Sequence, residues 1–174
     1  MLYPRAMGDA FSDLPAALQA FHAVEDAVAY RGSVEVSHGG SLARAVAGAA
    51  GMPRRAGNMR FSFRATRDGA REIWERDFDG HVTRSTQWLH APGVIAEQVG
   101  RSVFLLEPRL RDGRLHIPIR GVSGFGLPVP GWVMQSCEGI ESVTEDGRIS
   151  FDVHARLRGL GLIVRYRGTL ARVP

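Results

Sequence analysis

The chain has 174 residues, 44% hydrophobic and 23% charged, a globular composition long enough to bury about 70% of its unfolded surface in one core. Its net charge is +4 without a single lysine, and its arginines are scattered from Arg5 to Arg172, often beside acids, unlike the clustered basic face of a nucleic-acid binder. No apolar run approaches the roughly 18 residues of a membrane span, "MLYPRAMGDAF" lacks a signal-peptide layout, and the lone Cys137 predicts a reducing, cytoplasmic setting.

The first element expected is a helix over "SDLPAALQAFHAVEDAVAY", residues 12–30. Ser12 or Asp13 can cap it and Pro15 suits its first turn, while Leu14, Leu18, Phe21, Val24 and Val28 recur at helical spacing. "GSVEVSHGG" then reads as a short strand. "SLARAVAGAAGMP" predicts a second short helix, capped by Ser41, presenting Leu42, Ala45, Val46 and Ala49, and stopped by Gly51, Met52 and Pro53.

From residue 58 the period changes to two. "NMRFSFRAT" puts Met59, Phe61, Phe63 and Ala65 on one face, and a turn at "RDG" leads into "REIWERDF". "DG" precedes "HVTRSTQWLH"; "VIAEQV", "SVFLLEPRL" and "RLHIPIRGV" follow between further turns. The series ends with "VMQSCEGIESVT", "RISFDVHARL" and "GLIVRYRGTLARV", in which Ile149, Phe151, Val153 and Ala155, then Leu162, Val164, Tyr166 and Leu170, are expected to face inward. The reading is a mostly β (α+β) single domain over residues 1–174. About ten meandering antiparallel strands should form a barrel or strongly curved sheet, because closure removes exposed edges. The N-terminal helix should pack across an opening or the outer face, and strand should exceed helix by at least about two to one.

No nucleophile elbow, phosphate loop, zinc spacing or metalloprotease helix is present. Six histidines are spread through the chain without an i, i+4 pair, so no metal site or cofactor is expected. His22 fits a hydrogen-bonded histidine at the core edge, and Cys137 a small buried hydrophobe.

Polar residues on faces that should be dry are more informative. Alternation places Trp74, Arg76 and Phe78 together. Arg76 either stacks on Trp74 outside the sheet or points into a cavity, where it needs a buried acid or an anionic or polar end of a ligand. Arg84, Thr86 and Trp88 share a face opposite Ser85 and Gln87, and Met134, Ser136, Glu138 and Ile140 share another. Glu138 and Glu97 are the acids suited to pair with an interior arginine. A structural ion pair inside a packed barrel would leave the same pattern.

"SGFGLPVPGW", residues 123–132, interrupts the alternation with three glycines and two prolines, yet carries Phe125, Leu127, Val129 and Trp132. Gly and Pro oppose a regular strand. So apolar a loop can plug a barrel end, gate a pocket mouth with its glycines as hinges and its aromatics, Phe125 and Trp132, as the gate, or present a docking surface.

The ordered series "LPAALQAFHA", "GMP", "WERDFDG", "VIAEQVG", "GFGLPVPGW", "DGRISFDV" and "GLGLIVRYRGTL" resembles the DUF4166 family, a bacterial domain of unknown function. The resemblance spans most of the chain and brings no catalytic residues with it. The family domain often follows a nucleotide-binding dehydrogenase- or epimerase-like domain. The Gly-x-Gly-x-x-Gly fingerprint is absent here, so the resemblance implies an accessory or stand-alone module.

Three functions follow from these features. The leading one is a non-catalytic binding module for a hydrophobic or lipid-like small molecule. Its site would draw on Trp74, Arg76, Phe78, Arg84, Trp88, Glu97, Phe125, Trp132 and Glu138. The alternative is an interaction domain with a filled core, docking a protein partner with a nucleotide-binding domain through the 125–132 surface. The third is an enzyme using an enclosed Arg–Glu pair on a hydrophobic substrate. A cavity of about 300 Å³ or more separates the first and third from the second.

Overall fold

The computed structural model describes residues 1–124 and 126–173. Period-two burial runs through most of the chain. Strand accounts for 59% of it and helix for 17%, so the expected excess of strand is met. The strands are β1 (Ala27–His38), β2 (Gly57–Asp68), β3 (Arg71–Phe78), β4 (His81–Ala91), β5 (Val94–Val99), β6 (Ser102–Leu106), β7 (Arg109–Arg111), β8 (Arg114–Gly124), β9 (Leu127–Pro128), β10 (Met134–Val143), β11 (Ile149–Leu157) and β12 (Gly161–Arg172). All neighbours pair antiparallel. The order β10-β11-β12-β1-β2-β3-β4-β5-β6-β8 closes on itself because β8 also pairs β10, from Glu138↔Pro118 to Glu141↔Leu115. The result is a closed ten-stranded barrel, with β7 and β9 as extra strands beside β8.

Turn chemistry sets the registers. Asp79 and Gly80 both have positive φ, the requirement of a two-residue type I′ hairpin, and they hold Phe78 opposite His81. Between β1 and β12 the backbones approach too closely for side chains. A Cβ on Gly32 would stand 1.8 Å from the Thr169 carbonyl oxygen, and one on Gly168 would stand 2.0 Å from that of Ser33. These glycines sit mid-strand because only hydrogen fits there.

The two barrel ends are built differently. Helices α1 (Leu2–Met7) and α2 (Ala16–His22) form a floor. The Leu2 amide donates to Glu72 Oε1 at 2.8 Å, and His22 Nε2 meets Glu141 Oε2 at 2.6 Å. At the other end lies α3 (Ser41–Ala49), tied down where the Gly39 amide donates to the Leu162 carbonyl and Thr83 Oγ1 to that of Gly51.

The helical region departs from expectation. Only Ala16–His22 of residues 12–30 is helical, and from Ala27 the chain is strand. Val28 belongs to the helical stripe but also, with Tyr30, to a period of two, and the ladder with β2 (Val28↔Ala65, Tyr30↔Phe63) decides between them. Neither Ser12 nor Asp13 caps α2. Pro15 stands at the cap, and Ser12 Oγ bonds the Asp9 carbonyl instead. Likewise, α3 buries Ala43 and Ala47 while Leu42, Ala45 and Ala49 face solvent. Gly40, not Ser41, occupies its cap position. An alanine face lets this helix lie close against β12. The stretch 123–132 is not a free loop. Among its described residues Ser123↔Pro128 and Gly124↔Leu127 pair antiparallel, and a 3₁₀ turn over Gly131–Val133 leads into β10. Phe125, expected as the gate, lies outside the described residues.

Candidate functional site

Inside the barrel, between the floor and α3, is a cavity of about 190 Å³. That falls short of the threshold of about 300 Å³ set above to separate a ligand site from a filled core, and lies above the roughly 150 Å³ that takes up benzene. Tyr3 and Trp74 line its floor side; Ala47, Ala50, Met52 and Val99 line its α3 side. Phe104, Leu106, Ile117, Ile119, Val153 and Ile163 make the walls apolar.

A compact polar group stands in this wall. Arg76, on the inward row of β3, donates from Nη1 to Ser85 Oγ at 3.0 Å and from Nη2 to Glu97 Oε1 at 2.9 Å. Ser85 Oγ also donates to Glu97 Oε1 at 2.6 Å. The guanidinium lies 5.2 Å over the Trp74 ring, so it has both a carboxylate and a π-face as counter-charge. The two side chains are 14% and 12% exposed, an interior ion pair in touch with the cavity. Burial by itself pushes Glu97 up. The charge of Arg76, hydrogen bonding from Ser85 and Arg76, and the nearby Gln87 amide outweigh it, and the carboxyl sits below its usual range. Burial also acts to lower Arg76, but Glu97 more than offsets it and the guanidinium is held more firmly protonated.

Gln87 is the exceptional member. It is buried and lines the cavity, close enough to Glu97 to help hold it ionised. Yet neither its Nε2 nor its Oε1 completes a hydrogen bond of regular geometry. A buried amide left this way costs free energy and is ready to bond an incoming polar group.

At the floor, Glu141 lines the cavity and binds His22, which is fully buried with its Nδ1 unpaired. Tyr3 packs on the His22 ring at 3.9 Å between centroids, and Trp74 lies 5.8 Å from it. The Trp74 indole donates to Glu72 Oε2 at 3.2 Å. Burial raises Tyr3 well above its ordinary value, and raises Tyr166 on β12 to about 12. Both phenols are therefore neutral near pH 7.

Of the residues singled out from sequence, Trp74, Arg76 and Glu97 meet at this cavity. Phe78 is interior but packs against Phe61 and Tyr166 rather than on the cavity. Arg84 is outside, paired with Glu75. Trp88 is also outside, beneath the Arg71 guanidinium at 5.8 Å. Glu138 bonds His116 on the outer face, not an arginine, because β10 turns Gly139 and Glu141 inward instead. Trp132 is solvent-exposed, and no described residue of 123–132 lines the cavity. The β8–β9 pair does spring from the same end as Val99, since Ser102 pairs with both Val99 and Gly124.

Thr83, Ser85, Gln87 and Glu141 were not singled out, although hairpin register carries the signal. If Trp74 points inward and Asp79-Gly80 is a two-residue turn, Arg76↔Thr83, Trp74↔Ser85 and Glu72↔Gln87 must share that face. The same argument from Phe151 selects Glu141. A second recess, of about 500 Å³, lies near Tyr30, Arg64, Glu75 and Arg172, but no unpaired buried polar atom marks it among the described residues. No group of three or more potential metal ligands is gathered there either.

The family described as "Domain of unknown function (DUF4166)" matches residues 14–170. No curated protein matches the chain. Among solved structures, the crystal structure of Rv2717c from M. tuberculosis is similar at 14% identity, with a TM-score of 0.45 over 93% of this chain and 100% of that one.

Proposed function

The chain belongs to the DUF4166 family, and we propose that in this member the barrel is a non-catalytic binding module for a compact hydrophobic molecule with a neutral polar end. The observation that carries this reading is the buried Gln87 amide, without regular hydrogen bonds, in the wall of an otherwise apolar cavity. At about 190 Å³ the space suits a single ring or a short chain, with any longer tail running toward α3. The cavity is too small for the larger lipid-like ligand that the pattern first suggested.

The electrostatics favour a neutral polar end over a carboxylate. Arg76 is already engaged by Glu97 and Ser85, and Glu141 adds a second carboxyl to the wall. An anionic ligand would have to displace Glu97 from a desolvated pair, which leaves a buried charge uncompensated. A hydroxyl or amide would instead satisfy Gln87 without disturbing the pair.

The test is a titration with benzyl alcohol, benzoate and 1-octanol, followed through the NMR resonance of the Trp74 indole N–H. The two alcohols should shift it saturably and benzoate should not. Absence of a saturable shift with either alcohol would overturn the binding role in favour of a filled-core interaction domain.

A further inference from the structure

Five large hydrophobic side chains lie at least 37% exposed at the α3 end of the barrel: Leu42, Val82, Leu127, Trp132 and Leu160. The registers bring them together. Val82 follows the Asp79-Gly80 turn, which sits beside the start of β2 through Phe61↔Phe78. The start of β2 in turn pairs with the end of β1 (Val36↔Gly57), from which α3 departs. Leu160 lies in the β11–β12 turn, whose Arg158 amide donates to the Val133 carbonyl next to Trp132 at 2.8 Å. Leu127 is joined to this group by the β8–β9 pair that leads into the same 3₁₀ turn. Among the described residues the other strongly exposed large hydrophobic is Met1, on α1 at the floor.

Charge is polarised along the same axis. The described segments 39–57, 79–82, 99–102, 126–133 and 156–161 at this end contain Arg44, Arg54, Arg55, Arg101, Arg156 and Arg158 against Asp79 alone. At the floor end, segments 1–27, 68–71, 91–94, 107–114, 144–148 and 172–173 hold nine carboxylates against seven arginines. Arginines scattered in sequence are therefore gathered by the fold, with exposed apolar side chains interleaved among them.

We propose that the α3 end is a docking surface for an anionic lipid bilayer. Trp132, Leu127, Leu42, Val82 and Leu160 enter the headgroup region, where an amphipathic indole is favoured, and the arginines neutralise lipid phosphates. The charge complementarity argues for this occupant. A second copy would set six arginines against six, and a nucleic acid would leave five aliphatic and aromatic side chains without a partner. The surface is independent of what the cavity holds, although docking would turn its Met52–Val99 side toward the bilayer.

The experiment is co-sedimentation of the full chain with vesicles of phosphatidylcholine alone and of equimolar phosphatidylcholine and phosphatidylglycerol. Binding should occur on the anionic vesicles and weaken with salt, with a blue shift of Trp132 fluorescence. Arg158→Gln should weaken it about fivefold, the effect of one arginine near an anionic surface. Trp132→Ser with Leu127→Ser should weaken it about tenfold or more while leaving the melting temperature unchanged. Failure to bind anionic vesicles would overturn the proposal. So would binding that the Trp132/Leu127 pair does not alter, or a dimer in solution that the same pair dissolves.

Discussion

Replacing Arg76 by methionine keeps most of the aliphatic stem but removes both bonded ends, the 3.0 Å contact to Ser85 and the 2.9 Å contact to Glu97. Glu97 is then left about one-eighth exposed, at 12%, with Ser85 as its closest remaining donor. Breaking one side of a buried pair typically costs 3–5 kcal/mol, because the other charge loses its compensation. Methionine fills part of the vacated space, so we expect about 3 kcal/mol near neutral pH. The pH dependence is a sharper signature. In the parent, Glu97 has a folded pKa below its unfolded one, so its contribution is present above about pH 4.3 and lost as pH falls through the folded value. In Arg76→Met, burial is no longer outweighed and the folded pKa rises above the unfolded one. The variant's penalty is then absent in acid and grows as pH rises past about 4.3. The gap between parent and variant should therefore widen from pH 5 to pH 8 in urea denaturation. Adding Glu97→Gln should recover at least half of it. A loss under about 1 kcal/mol, equal at both pH values, would place the pair in solvent and refute the argument.

Trp74→Ala, at a site 4% exposed, should cost about 3–5 kcal/mol in chemical denaturation, and a loss below about 1 kcal/mol would show that the indole is not a wall of the core. Gln87→Leu removes a buried amide lacking regular partners together with the support it gives Glu97, so stability should stay within about 1 kcal/mol of the parent while the benzyl alcohol response is abolished; a larger loss would mean that the amide is satisfied. Tyr166, raised to about 12, stabilises the fold fully below its unfolded value near 10. The parent should therefore lose stability between about pH 10 and 12 more steeply than Tyr166→Phe, and parallel pH–stability curves would contradict its burial.

Local pattern carried the strand content far into the structure. Met59, Phe61, Phe63 and Ala65 face the core because a pleated chain turns every second side chain to the same side. The Asp-Gly pairs turn where positive φ is needed, since that demand is set by two residues alone. Such features need only neighbours in sequence. The helix expected over residues 12–30 stops short where two periods coincide. Val24 and Val28 extend a helical stripe, and only pairing with β2, some forty residues away, makes Ala27–Tyr30 a strand.

The site was half legible for the same reason. Alternation put Trp74, Arg76 and Phe78 on one face, but whether that face looked inward depended on closure. Closure rests on β8 meeting β10, and no short-range pattern encodes it. Glu97 reaches Arg76 across β4, and His22 reaches Glu141 across 119 residues of sequence. The clustering of Arg44, Arg101 and Arg158 at one end likewise appears only when turns far apart in sequence are stacked by antiparallel register. Sequence determined which residues alternate and where the chain turns, because those follow from backbone sterics within a few bonds. Tertiary structure alone decided which buried charges meet and which surface is polarised, because electrostatic and packing partners are chosen by distance in space.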